Sequence, residues 1–220
     1  SGAFIITRLS NLEFLDPKLA ISVGNQVDLT VSDMVHAVAL RDDIDCIGVY
    51  VEGFNDLDGL AFLRAVDLAA SHGKLVVFYK AGRTSAGRSA AQGHTASVAG
   101  DYDVRQAAVA AAGAVVADTF KEFDQLLELG TDLHGKKVGG VRLGLISNAG
   151  YESVGMADTI CGPRYDVTVA SLTGETQRRI AEALARRGLG ALVDAGNPLD
   201  LTPMASDAAY EDCVRAMLDD

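Results

Sequence analysis

Basic residues are in short supply in this 220-residue chain: nineteen lysines and arginines face thirty aspartates and glutamates, a net charge of −11. That balance excludes a general role in nucleic-acid binding or in adhesion to an anionic membrane. Cysteine is also sparse. Cys46, Cys161 and Cys213 are widely spaced, odd in number and without a CxxC pair, so neither a disulfide scaffold nor a structural zinc site is expected. The four histidines (His36, His72, His94 and His134) are too scattered to suggest a metal cluster. The longest nearly unbroken apolar stretch, Ala107 to Ala117, is far short of the ~20 residues that span a bilayer. With no signal peptide pattern, a cytoplasmic protein with no membrane partner is the expectation. Gly-x-Ser-x-Gly is missing, which removes the common hydrolase reading. Gly87 and Gly93 are one residue too far apart for a phosphate-binding P-loop, and His94 stands where its lysine belongs. Gly188 and Gly190 follow a helix pattern rather than a strand, so they make no dinucleotide fingerprint.

What is present is a globular composition, 49% hydrophobic and 22% charged, enough for one or two domains. Two short continuous apolar runs, residues 46–51 and 75–79, carry the mark of strands buried on both faces of a parallel sheet. Between them, Leu57, Leu60, Ala61 and Leu68 repeat at helical spacing over residues 55–70. Residues 19–23 are a third strand candidate. Thr30 and Asp33 predict a capping box ahead of a stripe of Val31, Met34, Val35 and Val38. Further helices are expected over 2–12, 102–112 (with Asp101 as its N-cap) and 120–129. Four glycines in residues 130–140 read as a linker, after which the pattern restarts. Strand 141–147, helix 151–160, strand 166–170 and helix 174–187 follow, then a helix over 206–218. Asn197 and Asp200 read as residues of a turn-rich structural stretch. Alternating helices and strands make this an α/β protein with two open parallel sheets in tandem. The expected domains are residues 1–130 and 141–220, the second cut short, joined by a linker at 131–140. The chain opens on Ser1 and both ends look unfinished, as in a piece of a longer protein.

In open α/β sheets ligands gather at the carboxyl ends of strands. Glu52 and Gly53 close the first of these strands, Lys80 to Arg83 the next, and Asn148 to Gly150 the strand after the linker. Ser1, Gly2 and Ala3 open a helix. A long polar loop is expected from Gly82 to Gly100, and a loop of that length in a compact domain is uncommon without a function. Its Arg83 and Arg88 suit solvent, acidic side chains or the phosphates of a ligand.

The run Gly-His-Thr-Ala-Ser-Val-Ala-Gly at 93–100, after Lys-Ala-Gly-Arg at 80–83, resembles the phosphohistidine loop of NDP-forming acyl-CoA synthetases and of the succinyl-CoA synthetase alpha subunit. Ser-Gly-Ala-Phe (1–4), Ser-Val-Gly-Asn (22–25), Tyr-Val-Glu-Gly (50–53), Ser-Asn-Ala-Gly (147–150) and Gly-Asn-Pro-Leu-Asp-Leu-Thr (196–202) are similar to the same family's motifs in the same order. The resemblance implies flavodoxin-like, succinyl-CoA synthetase-like subdomains and a ligase. Such a ligase joins a carboxylic acid to CoA at the expense of ATP or GTP, through an acyl phosphate and a phosphohistidine. By position His94 is implied as the phosphoryl carrier and Glu52 as the acceptor that holds its ring. Ser1, Gly2 and Ala3, and likewise Asn148, Ala149 and Gly150, are implied to start two helices whose free N–H groups bind phosphate. If both halves serve one reaction, their strand ends should share a cleft. CoA-binding and ATP-grasp modules, the latter carrying magnesium with the nucleotide, are implied on other segments or on another subunit. The chain departs from the family at Tyr151, Glu152 and Ser153, where Gly-Pro-Gly is usual. Two rivals stand beside the ligase reading: a noncatalytic ligand-binding or regulatory module, favoured by Tyr151 and Glu152, and a free-standing phosphohistidine relay.

Overall fold

A computed structural model describes residues 15, 17–92, 102–160 and 167–220. The expected helix at 2–12, the 93–100 run with His94, the Asp101 cap and Cys161 lie outside the described residues. The chain divides into two compact units, Ser1–Lys137 and Val138–Asp220.

In the first unit, α1 (Val31–Ala39) starts as the capping box predicts. The Thr30 hydroxyl accepts from the Asp33 amide, and Asp33 Oδ2 accepts from the Thr30 amide at 2.8 Å. Thr30 Oγ1 also lies 2.9 Å from Oδ1 of Asp58, and Ser32 Oγ donates to the Asp58 carbonyl at 3.1 Å. The start of α1 is thus tied to the start of α2 (Asp58–Ser71). Strands β1 (Cys46–Val51) and β2 (Leu75–Lys80) pair in parallel from Cys46 opposite Leu75 to Val51 opposite Lys80, with α2 as the crossover. A third parallel strand, β3 (Val115–Val116), lies on the other side of β2. One sheet face sends Ile47, Val49, Val51, Val76 and Phe78 into a core with Val35, Phe62, Ala65, Val66 and Val109. Phe62 and Phe78 are fully buried, and each contributes roughly 1.5–3 kcal/mol of apolar burial. The opposite face packs Val77 and Tyr79 against Phe123 of α5 (Phe120–Leu133).

Four expectations fail in this unit. Residues 19–23 form no strand. Leu19 and Ile21 are exposed, the chain turns at Gly24 and Gln26, both at positive φ, and the segment joins none of the ladders. Leu57, placed in the apolar stripe by its spacing, instead precedes α2 at φ +67° and is 90% exposed. The buried stripe is Phe62, Ala65, Val66 and Ala69. The polar loop from Gly82 contains a helix, α3 (Ser85–Gln92), begun where the Thr84 hydroxyl accepts from the Gly87 amide at 3.0 Å. Its lack of apolar periodicity hid it. Finally α5 runs past Leu129 through Gly130 to Leu133, and Gly130 packs close to the Leu75 side chain of β2. Helix α4 (Tyr102–Ala111) forms as expected.

In the second unit the expected strand 141–147 is split into β4 (Arg142–Leu143) and β5 (Ile146–Ser147). Strand β4 pairs in parallel with β6 (Thr168–Val169), and β5 with β7 (Leu199–Asp200), a two-residue strand that the sequence reading missed. Helices α6 (Gly150–Ile160), α7 (Gly174–Arg186) and α8 (Asp207–Leu218) complete the unit. Its core gathers Ile180, Leu184, Leu199, Leu201 and Cys213, all less than 2% exposed. Parallel strands joined by helices in both units make this an α/β fold.

Candidate functional site

Glu52 stands one residue beyond β1, at the carboxyl edge of the sheet. Side chains alternate along a strand, so Tyr50 and Glu52 share a face, and Tyr79 lies directly opposite Tyr50 on β2. The Tyr50 hydroxyl donates to Glu52 Oε1 at 3.1 Å. Its ring stacks on Tyr79 at 6.0 Å with 10° between planes, and Phe120, the first residue of α5, lies 4.4 Å from Tyr79 and 6.0 Å from Tyr50. Burial, then the Glu52 charge and hydrogen bond, push the Tyr50 phenol above its ordinary range. It therefore stays protonated as the donor at neutral pH.

Lys80 lies on the other face, level with Val51, and is 7% exposed. Its ammonium donates to the Ala81 carbonyl at 3.0 Å and reaches the Glu52 carbonyl at 3.5 Å, linking the ends of β1 and β2. The turn after Glu52 is held from the other side by Gln26. Its Nε2 donates to the Gly53 carbonyl at 3.1 Å, its Oε1 accepts from the Val31 amide at 3.1 Å, and its backbone carbonyl accepts from Asn55 Nδ2 at 2.8 Å. The Ser22 to Asn25 motif thus leads into the residue that fixes the Glu52–Gly53 corner. Arg83 is exposed at the start of the next segment, and Arg88 falls on α3.

Asn148 and Ala149 link β5 to α6, and Gly150 is the first residue of that helix. The helix start is acidic. Ser147 Oγ donates to Glu152 Oε2 at 2.5 Å and accepts from the Ala149 amide at 3.2 Å. The Tyr151 hydroxyl, on a ring that is 78% exposed, donates to Glu152 Oε1 at 3.1 Å. Asp200, at the end of β7, accepts from the Thr202 amide through Oδ1 at 2.9 Å. Its Oδ2 would lie 3.1 Å from a Cβ on Gly150, so the glycine makes room for that carboxylate. Burial, then the charges of Asp200 and Glu152, raise the Tyr210 phenol above its ordinary range. Carboxylates at a helix N-terminus stabilise the helix by the same dipole that would hold a bound anion.

The sequence offers Glu52 and residues 148–150 as candidates, and Lys80 as the end of its strand, but does not name Tyr50, Tyr79 or Gln26 as neighbours of Glu52. The period of two along β1 carried the signal for Tyr50. His94, Ser1, Gly2 and Ala3 lie outside the described residues. Among the described residues no three histidine, cysteine or acidic side chains form a metal-binding group, and no helix is long and apolar enough to cross a membrane.

Residues 1–129 match the family described as succinyl-CoA ligase like flavodoxin domain. The acetate–CoA ligase (ADP-forming) I of Archaeoglobus fulgidus is 32% identical over all of this chain, which covers 30% of that protein. The subunit alpha of acetate–CoA ligase (ADP-forming) II from Pyrococcus furiosus is 30% identical over 91% of the chain and 41% of its own length. A trans-feruloyl-CoA synthase is 28% identical over 60% of the chain and 18% of its own length. Among solved structures, the acetyl-coenzyme A synthetase 1 of Ca. Korarchaeum cryptofilum, in complex with phosphate and ADP, superposes with a TM-score of 0.75 at 25% identity. That match covers the whole chain and 46% of the neighbour. The chain therefore spans less than half the length of each of these relatives. It belongs to the succinyl-CoA ligase like flavodoxin domain family.

Proposed function

We propose that this chain is the phosphoryl-relay portion of a ligase that makes an acyl-CoA from a carboxylic acid, CoA and a nucleoside triphosphate. His94 is the relay. One ring nitrogen attacks the γ-phosphorus of the triphosphate, a P–N bond forms, the P–O bond to the diphosphate breaks, and the diphosphate leaves. Glu52 accepts from the other ring N–H, selecting the tautomer that leaves the attacking nitrogen free, and stabilises the positive ring of the phosphohistidine. The substrate carboxylate then attacks phosphorus, the P–N bond breaks, and an acyl phosphate forms. The CoA thiolate attacks the acyl carbon, a C–S bond replaces the C–O bond, and inorganic phosphate leaves; the thiol proton passes to water. Nucleotide, magnesium and CoA are held by ATP-grasp and CoA-binding modules on other segments or another subunit, as the alpha-subunit relatives support. Ser1 to Ala3 and Asn148 to Gly150 offer backbone N–H groups to the phosphoryl group.

The observation that carries this reading is Glu52. Its carboxylate stands at the carboxyl end of the parallel sheet, one residue beyond β1, and accepts from the Tyr50 hydroxyl. The test is labelling of the chain, assembled with its ATP-grasp module, from triphosphate radiolabelled at the γ-phosphate. Acid-labile, base-stable label that disappears in His94→Ala supports the assignment. Label retained unchanged in His94→Ala overturns it.

One observation favours a second reading, a noncatalytic ligand-binding module derived from the same family. Glu152 and Asp200 occupy the start of α6, where the resemblance puts phosphate. A chain that takes up no label when assembled with the grasp module, yet binds CoA or nucleotide, would establish that reading.

A further inference from the structure

The environment of Glu52 points to a residue whose part in the chemistry is separate from the carboxylate itself. A carboxylate on a strand end has free rotation about its side-chain bonds, and fixing it for a ring nitrogen requires a partner on one oxygen. Tyr50 is placed for this, two residues earlier on the same face, with its hydroxyl 3.1 Å from Oε1. The phenol is itself fixed. Its ring runs nearly parallel to that of Tyr79, its register partner, at 6.0 Å between centroids, and Phe120 at the start of α5 is tilted against both rings. Tyr79 is held in turn by Phe123 at 6.4 Å. The buried ammonium of Lys80 is engaged on the other face with main-chain carbonyls.

We propose that Tyr50 is a positioning residue for the phosphoryl relay: by donating to Oε1 it holds the Glu52 carboxylate in one orientation for the relay histidine. This inference rests on the relay reading above. The aromatic stack sets the phenol, the phenol sets the carboxylate, and the carboxylate sets the ring. The stack has a structural role as well, so loss of the ring would disturb the sheet and α5 together. The informative change is Tyr50→Phe, which keeps the ring and removes the hydroxyl.

The experiment is rapid-quench labelling from γ-labelled triphosphate, using the chain assembled with its ATP-grasp module, in four forms: unchanged, Tyr50→Phe, Glu52→Gln and the double variant. Thermal melting of each accompanies the rates. The expected result is that Tyr50→Phe slows phosphorylation about ten-fold, the scale of one hydrogen bond to a charged group. In the background of Glu52→Gln the same change has little further effect, since a residue that acts through another loses its effect when that other is gone. Equal slowing in both backgrounds would overturn the inference and leave Tyr50 a packing residue. Slowing by Glu52→Gln with none by Tyr50→Phe would overturn it too, while leaving the relay reading intact. A Glu52→Gln form that labels at the unchanged rate would overturn the role of Glu52, and the role of Tyr50 with it.

Discussion

Oδ1 of Asn197 accepts from the Leu145 amide at 2.8 Å, across 52 residues of sequence, at the point where the second unit's ladders part. Its Nδ2 donates to the carbonyls of Leu143 and Ala170 at 2.8 and 2.9 Å. One side-chain amide thus serves three main-chain groups, of which the Leu143 carbonyl also accepts from the Ala170 amide at 3.0 Å. Removing it takes this partner from the Leu145 amide and the Ala170 carbonyl. Asn197→Ala is expected to destabilise the second unit by about 1–3 kcal/mol. Faster exchange of the Leu145 amide in the variant checks this; unchanged protection would contradict it.

Asp220 makes the acid stability of the same unit depend on pH. Its carboxylate accepts from Thr176 Oγ1 at 2.6 Å, and from the amide and hydroxyl of Thr173 at 2.9 and 2.8 Å, at the start of α7. These bonds, that to Thr176 first, hold its pKa down to about 2. The group is depressed in the folded state, so its stabilisation is complete above the usual carboxylate range and is lost as pH falls through about 2. Stability of the unchanged chain should fall more steeply between about pH 4 and pH 2 than that of Asp220→Asn. Parallel curves for the two proteins would contradict the assignment.

The acids at the start of α6 make a prediction about anions. Glu152 lies in the first turn, on the Ser147 hydroxyl, with Asp200 close to Gly150. Glu152→Gln keeps the shape and removes one charge, so inorganic phosphate should bind at residues 148–150 about two- to five-fold more tightly. A phosphate titration followed at the Gly150 amide reads this. No gain in affinity would show that the Glu152 charge does not oppose an anion there.

The elements legible in the sequence are those whose cause is local. Thr30 and Asp33 announce α1 because a capping box closes within four residues. The apolar runs of β1 and β2 are unbroken because both sheet faces are covered. Elements shaped from a distance were not legible. The break between β4 and β5 is bridged by Asn197, and Gly130 of α5 packs against Leu75 of β2. At the candidate site, Glu52 was legible as the polar residue that ends an apolar strand. The approach of Asp200 to Gly150 was not, because β7 is only two residues long and carries no periodic pattern.

Kinetic competence of the phosphorylated chain tests the central claim most directly. The chain assembled with its ATP-grasp module is labelled from γ-labelled triphosphate, freed of nucleotide, and mixed with carboxylic acid and CoA in a rapid-quench device. The account predicts that label leaves His94 no more slowly than the steady-state turnover and appears as inorganic phosphate, with one acyl-CoA formed for each phosphoryl group lost. Acyl-CoA produced in ordinary turnover while the label on His94 stays in place would contradict it.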